Sequence, residues 1–229
     1  MNIAETLQSV VSPPHKAGYP FIIGGIVVLA IGLVFWHPLA WLGLIFVLFC
    51  LYFFRDPERV APPRESVFVA PADGLVVSIE QAIPPVELGL APEPRTRVAI
   101  FLSVLDVHVN RAPIAGTVQK IAYHPGLFLS AADDKASDDN ERNALLLRTP
   151  DGQDVVVVQI AGLIARRILC DVTEGQTLTT GQRFGIIRFG SRTDLYLPDG
   201  CVPLVAVGQR MIGGETVIAE LSPRVAGFP

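Results

Sequence analysis

Formal charge is almost absent from the first quarter of this 229-residue chain. Only Glu5 and Lys16 precede Arg55, and the other 38 charged side chains lie from Arg55 onward. Charged residues make up 17% overall and mean hydropathy is +0.45, too apolar for a disordered chain. A net charge of −4 argues against an electrostatic grip on nucleic acid. Cysteine is scarce too. Cys50, Cys170 and Cys201 are widely spaced and form no CxxC pair, which speaks against a disulfide framework or a structural zinc site. No phosphate-binding glycine loop or metal-ligand cluster is evident.

Glycine (20) and proline (19) are plentiful, and they punctuate the chain. Residues 20–54 contain no formal charge. As one helix this stretch would run about 52 Å, against a hydrocarbon core of about 30 Å. His37-Pro38 interrupts it, since proline removes a backbone donor and ends or kinks a helix. Two arms, 20–36 and 38–54, remain. The expectation is an apolar helical hairpin attached to a membrane, with Gly24, Gly25, Gly32 and Gly43 letting the arms approach. Lys16 before it and Arg55, Arg59 and Arg64 after it place both ends on the cytoplasmic face of the membrane.

Residues 55–229 read as one domain rich in short β-branched runs: 67–70, 75–79, 97–105, 117–123, 155–160, 184–190, 202–207 and 215–221. The expected fold class is α+β, mainly β: a hairpin (segment 1–54), then a barrel- or sandwich-like catalytic domain (55–229). The IARRILC segment (164–170) suits either helix or strand. PADGLVVSI (71–79) echoes APIAGTVQKI (112–121), and 174–187 echoes 207–221. Such glycine-punctuated hairpins suggest a quasi-symmetric barrel.

Gly190-Ser191 falls between two β runs, FGIIRF and TDLYLP. A serine hydroxyl can attack the carbonyl just before it through a five-membered ring and turn the amide into an ester. Elimination then leaves dehydroalanine, which hydrolyses to a pyruvoyl group and ammonia. By itself the pair also reads as a plain turn.

Seven segments taken together are far more specific: HKAGYP (15–20), YFFRDPER (52–59), PADG (71–74), DVHVNRAP (106–113), DKASDDNERN (134–143), VVQIAGLIARRI (157–168) and RFGSRTDLYLP (188–198). Along nearly its whole length the sequence resembles the short bacterial phosphatidylserine decarboxylase proenzymes. The resemblance implies self-cleavage at Gly190-Ser191 into a β chain (1–190) and an α chain (191–229) that stay together as a heterodimer. Ser191 becomes a covalent pyruvoyl cofactor, with neither metal nor pyridoxal phosphate. Its carbonyl captures the amine of phosphatidylserine as a Schiff base and yields phosphatidylethanolamine and CO2.

The resemblance also singles out Asp73 for processing and His108 for proton transfer or processing. A near-neutral imidazole can take a proton from a serine hydroxyl or return one to a carbanion. His108 also reads as an exposed strand residue, and Asp73 as turn chemistry. The long forms have a second histidine three residues on, where this chain has Arg111. Arg111, Arg142, Arg188 and Arg192 are candidates for the lipid phosphate. Two other readings remain: a membrane-tethered carrier modified at Lys135, and a membrane-tethered serine hydrolase using Ser191.

Overall fold

The computed structural model describes residues 12–64, 66–126, 140–162, 167–188 and 191–221. Two compact units make up the chain. One holds residues up to Glu58 with Leu105–Val107, and the other holds Arg59–Val104 with His108 onward.

The first unit is a helical hairpin, α1 (Tyr19–Phe35) and α2 (His37–Phe53), each of 17 residues. Pro20 and Pro38 sit in the opening turns, where a missing N–H costs nothing. Trp36 alone is extended between them, so the break falls at the proline signal. A Cβ on Gly32 would lie 2.6 Å from Ala40 Cα, and one on Gly43 2.5 Å from Leu29 N. These two glycines permit close backbone approach, and Gly25 does the same against Val47. Gly24 does not, because a Cβ there meets nothing within 4 Å. The ends are tied by His15 N–H donating to Phe54 O (2.7 Å) and Asp56 N–H to Pro13 O (2.9 Å). Large apolar side chains cover the outside, including Ile23, Leu33, Val34, Trp41 and Ile45. The helical stretch Lys16–Phe35 is long and apolar enough to cross a membrane.

The second unit is mainly β. Its strands are β1 (Val67–Val69), β2 (Gly74–Ala82), β3 (Arg95–Leu102), β4 (Val109–Arg111), β5 (Gly116–His124), β6 (Arg142–Arg148), β7 (Asp154–Ala161), β8 (Arg167–Cys170), β9 (Thr177–Leu178), β10 (Arg183–Arg188), β11 (Ser191–Tyr196), β12 (Arg210–Met211) and β13 (Val217–Glu220). A curled antiparallel sheet runs β12-β2-β3-β11-β7-β6-β5-β9, beside a three-stranded sheet β4-β10-β8 and the pair β1-β13. The expected class, mainly β behind a helical N-terminal part, is the class observed.

The sequence echo is a structural one. Val76 N–H donates to Gln209 O and Gly208 N–H to Val76 O; Val118 N–H donates to Gln176 O and Gly175 N–H to Val118 O. Both β2 and β5 carry a register shift two residues wide, at Val76/Ser78 and Val118/Lys120. The two halves of the long sheet therefore repeat about the β11–β7 pair.

Alternation sorts the side chains of the long sheet. Val98, Ile100, Leu145, Val157 and Leu195 enter the main core with Phe184, while Val156, Val158, Ile160 and Tyr196 pack in a second cluster on the other face. Each such burial stabilises by roughly 1.5–3 kcal/mol. A strand covered on both faces explains the unbroken VVVVQI run. Two local readings differ. The 202–207 run forms only a bridge between Pro203 and Ala219, since Pro203 has no N–H to donate. The strand β6, with its LLL run, was not among the expected strands. The undecided segment is strand from Arg167, and 163–166 lie outside the described residues.

Candidate functional site

Ser191 is the first residue of β11 and is held on both sides, opposite Leu102 of β3 and Ala161 of β7. It is fully buried, and its Oγ has no hydrogen-bond partner among the described residues. An orphaned buried hydroxyl costs about 1–3 kcal/mol. That is an unusual expense for a turn residue. Gly190 lies outside the described residues.

Ser191 and Thr193 point to the same face, where a chain of buried amides crosses four strands. Asn143 Nδ2 donates to Gln159 Oε1 (2.9 Å), Gln159 Nε2 to Asn110 Oδ1 (2.8 Å), and Asn110 Nδ2 to Thr193 Oγ1 (3.3 Å). Asn110 belongs to β4, so this face of β4 looks at this face of β11. A Cβ on Gly185 would lie 3.1 Å from Gln159 Nε2, and Gln159 is opposite Thr193. The strand β4 is antiparallel to β10.

His108 precedes Asn110 by two residues, as Ser191 precedes Thr193, and Asn110 bonds Thr193 across the two sheets. Ile187 N–H donates to His108 O (3.3 Å), which fixes that end of the strand. His108 is fully buried, which overturns the exposed-strand reading. Val107 and Val109 are buried as well, so the segment is covered on both faces and alternation carries no exposure signal there.

Asp73 is committed to a turn contact and an ion pair. Its Oδ1 accepts from Gly213 N–H (2.7 Å) and its Oδ2 from Arg59 Nη2 (3.0 Å). Arg111 alternates away from Asn110 and donates to Gly181 O (3.0 Å).

Arg192 faces the opposite side of the sheet from Ser191. It is buried and forks onto Asp194 (2.6 and 2.8 Å). Arg142 reaches Glu87 (2.5 Å), and Arg97 pairs with Glu80, so that face holds a charge-balanced cleft of about 570 Å³. The structure thus separates Arg142 and Arg192 from the serine face.

Arg188 is different. It ends β10 opposite Arg167 of β8, three residues before Ser191. Burial first, and Arg167 second, push the Arg188 guanidinium below its ordinary value. Arg167 was missed in the sequence, because an undecided IARRILC gives no register. It lines a cleft of about 530 Å³ with Tyr123, Glu141 and Cys170. Burial pushes the Cys170 thiol up, so it is no ready nucleophile. Among the described residues no group of three His, Cys, Asp or Glu could hold a metal ion.

Ser191 is thus a buried serine at a strand start with no hydrogen-bond partner for its Oγ among the described residues, and His108 is buried as well. Comparison with known proteins then gives the family. The phosphatidylserine decarboxylase family profile matches residues 46–219. The phosphatidylserine decarboxylase proenzyme of Granulibacter bethesdensis is 64% identical, covering 97% of this chain and 91% of that one. The proenzymes of Gluconacetobacter diazotrophicus (59%; 96% and 100%) and Cereibacter sphaeroides (57%; 95% and 94%) are similar over comparable lengths. The chain belongs to the phosphatidylserine decarboxylase family and is, by that membership, a decarboxylase.

Proposed function

We propose that the chain cuts itself between Gly190 and Ser191 and then decarboxylates phosphatidylserine to phosphatidylethanolamine at a membrane. The observation that carries this reading is the buried Ser191 hydroxyl with no partner among the described residues. A hydroxyl kept from water and from other acceptors is available to the one electrophile next to it in the chain. The Ser191 oxygen adds to the Gly190 carbonyl carbon and the amide nitrogen leaves as an amine. Loss of the Ser191 α-proton then expels the Gly190 carboxylate. Water converts the resulting enamine to a ketone and ammonia, with no change of overall oxidation state.

His108 takes the hydroxyl proton in this scheme, and in the mature enzyme returns a proton to the carbon that loses CO2. The buried amide chain through Asn110 holds the strands of His108 and Ser191 in register. The site fits a pyruvoyl group: the orphaned Ser191 oxygen is the atom that would leave in the Gly190 carboxylate, and the ketone oxygen would come from water. When formed, that group supplies an electrophilic carbonyl that holds the substrate amine and draws off the electrons as CO2 departs. The uncharged outer surface of the hairpin favours attachment to the bilayer, and the basic residues flanking it favour the cytoplasmic face.

Family membership weighs against the carrier reading, whose Lys135 lies outside the described residues. The hydrolase reading requires an intact chain with its hydroxyl retained. Intact-mass spectrometry separates the two: the proposal expects two fragments, the smaller of 39 residues with a blocked amino terminus, and a full-length, inactive Ser191→Ala. An active wild-type enzyme with the mass of the uncut chain refutes it.

A further inference from the structure

We infer that Arg167 and Arg188 form the subsite for the phosphodiester of the substrate headgroup, an inference that rests on the proposed function. The two guanidinium-bearing residues face each other across β8 and β10. Like charges set directly opposite destabilise a sheet, and an anion between them offsets that cost. Arg167 is exposed and has no carboxylate partner among the described residues. Glu141, the carboxylate lining the same cleft, is turned elsewhere: it accepts from Tyr123 Oη (3.1 Å) and Ile168 N–H (3.1 Å). Arg167 thus lines a cleft large enough for a headgroup, with Arg188 opposite it on β10.

Placement selects the phosphate over the other anion of the substrate. Arg188 lies three residues from Ser191, at most roughly 10 Å of extended chain, a gap an arginine side chain can largely close. In phosphatidylserine the phosphorus is four bonds from the amine nitrogen, so an amine held at residue 191 carries its phosphate toward this pair. The carboxylate is the group that must lose its charge as CO2. Two guanidinium forks on it would stabilise the ground state more than the transition state and slow the reaction. A phosphodiester keeps its charge throughout and suits the guanidinium fork.

The test uses purified, self-processed enzyme with phosphatidylserine in detergent micelles. Arg167→Gln is expected to be cut like the wild type. Its KM should rise roughly tenfold or more while kcat changes by less than about twofold. Arg167→Lys, which keeps the charge and loses the fork, should fall between. Glycerol 3-phosphate should compete with substrate on the wild type and lose potency on Arg167→Gln. A cut Arg167→Gln with wild-type KM overturns the inference, as does wild-type enzyme on which glycerol 3-phosphate does not compete. If Arg167→Gln is not cut, Arg167→Lys and the wild-type competition decide the matter. Active wild-type enzyme that is never cut refutes the proposed function instead, so the two failures are distinguishable.

Discussion

Replacing Gln159 by leucine tests the buried amide chain at its middle link. The side chain is fully buried, of similar length to leucine, and bonded at both ends. Its loss takes the Gln159 acceptor from Asn143 Nδ2 and the Gln159 donor from Asn110 Oδ1, in a region where both residues are at most 2% exposed. Each orphaned group costs about 1–3 kcal/mol, and burying the leucine returns roughly 1–2 kcal/mol. The net loss is about 2–3 kcal/mol. For a unit of this size that lowers the melting temperature by roughly 5–10 °C. The assay is thermal unfolding of the purified protein in detergent, followed by the strand signal in circular dichroism. Asn143→Ala alone and combined with Gln159→Leu completes a double-mutant cycle, and the combined loss should fall short of the sum. A Gln159→Leu protein melting within about 2 °C of the wild type would show that the amides are not energetically linked.

Gly32→Val should disrupt the hairpin, because its side chain would enter the backbone of Ala40, while Gly24→Ala should leave it intact; detergent-solubilised yield and melting separate the two. Asp73→Asn keeps an acceptor for Gly213 N–H, so self-cleavage at the wild-type rate would assign Asp73 to the turn, and a block on cleavage would assign its charge to processing. Glu80 is held below its ordinary 4.5, chiefly by its hydrogen bond to Arg97. A depressed carboxylate contributes stability above its unfolded value, and that contribution is lost as pH falls through the folded one. Glu80→Gln should therefore flatten the loss of stability below about pH 4.5, modestly because the group is partly exposed; an unchanged acid profile would show that the pair contributes nothing.

What the sequence made legible was local. The hairpin break at His37-Pro38 follows from one missing N–H, and the repeat between 71–79 and 112–121 survives as matching hydrogen bonds at Val76 and Val118. Gly190-Ser191 stood out because a specific chemistry needs that order of residues. The arginines could not be sorted the same way. Ser191 and Arg192 are neighbours in the chain yet lie on opposite faces, and only the strand register shows that Arg142 and Arg192 are on the side away from the serine. The amide chain joins residues 110, 143, 159 and 193, so no sequence window contains it. Asn110 was already in view inside DVHVNRAP, but its role depends on Thr193, which belongs to another sheet.

The position of the cut has a further consequence for the proposed enzyme. Between Arg188 and Ser191 the chain passes from the three-stranded sheet to the long one. Cutting there removes a connection without removing a ladder. All six residues of β11 remain paired with β3 on one side and β7 on the other. The rest of the small chain adds β12 on β2 and β13 on β1. Leu195, Leu197, Met211 and Ile218 also remain in the main core, and each contributes about 1.5–3 kcal/mol that release would forfeit. The two chains should therefore behave as one folded body: in detergent they should co-elute in size-exclusion chromatography and part only in denaturant. Loss of the small chain during native dialysis would show that the strand pairing on both sides of β11 does not survive the cut.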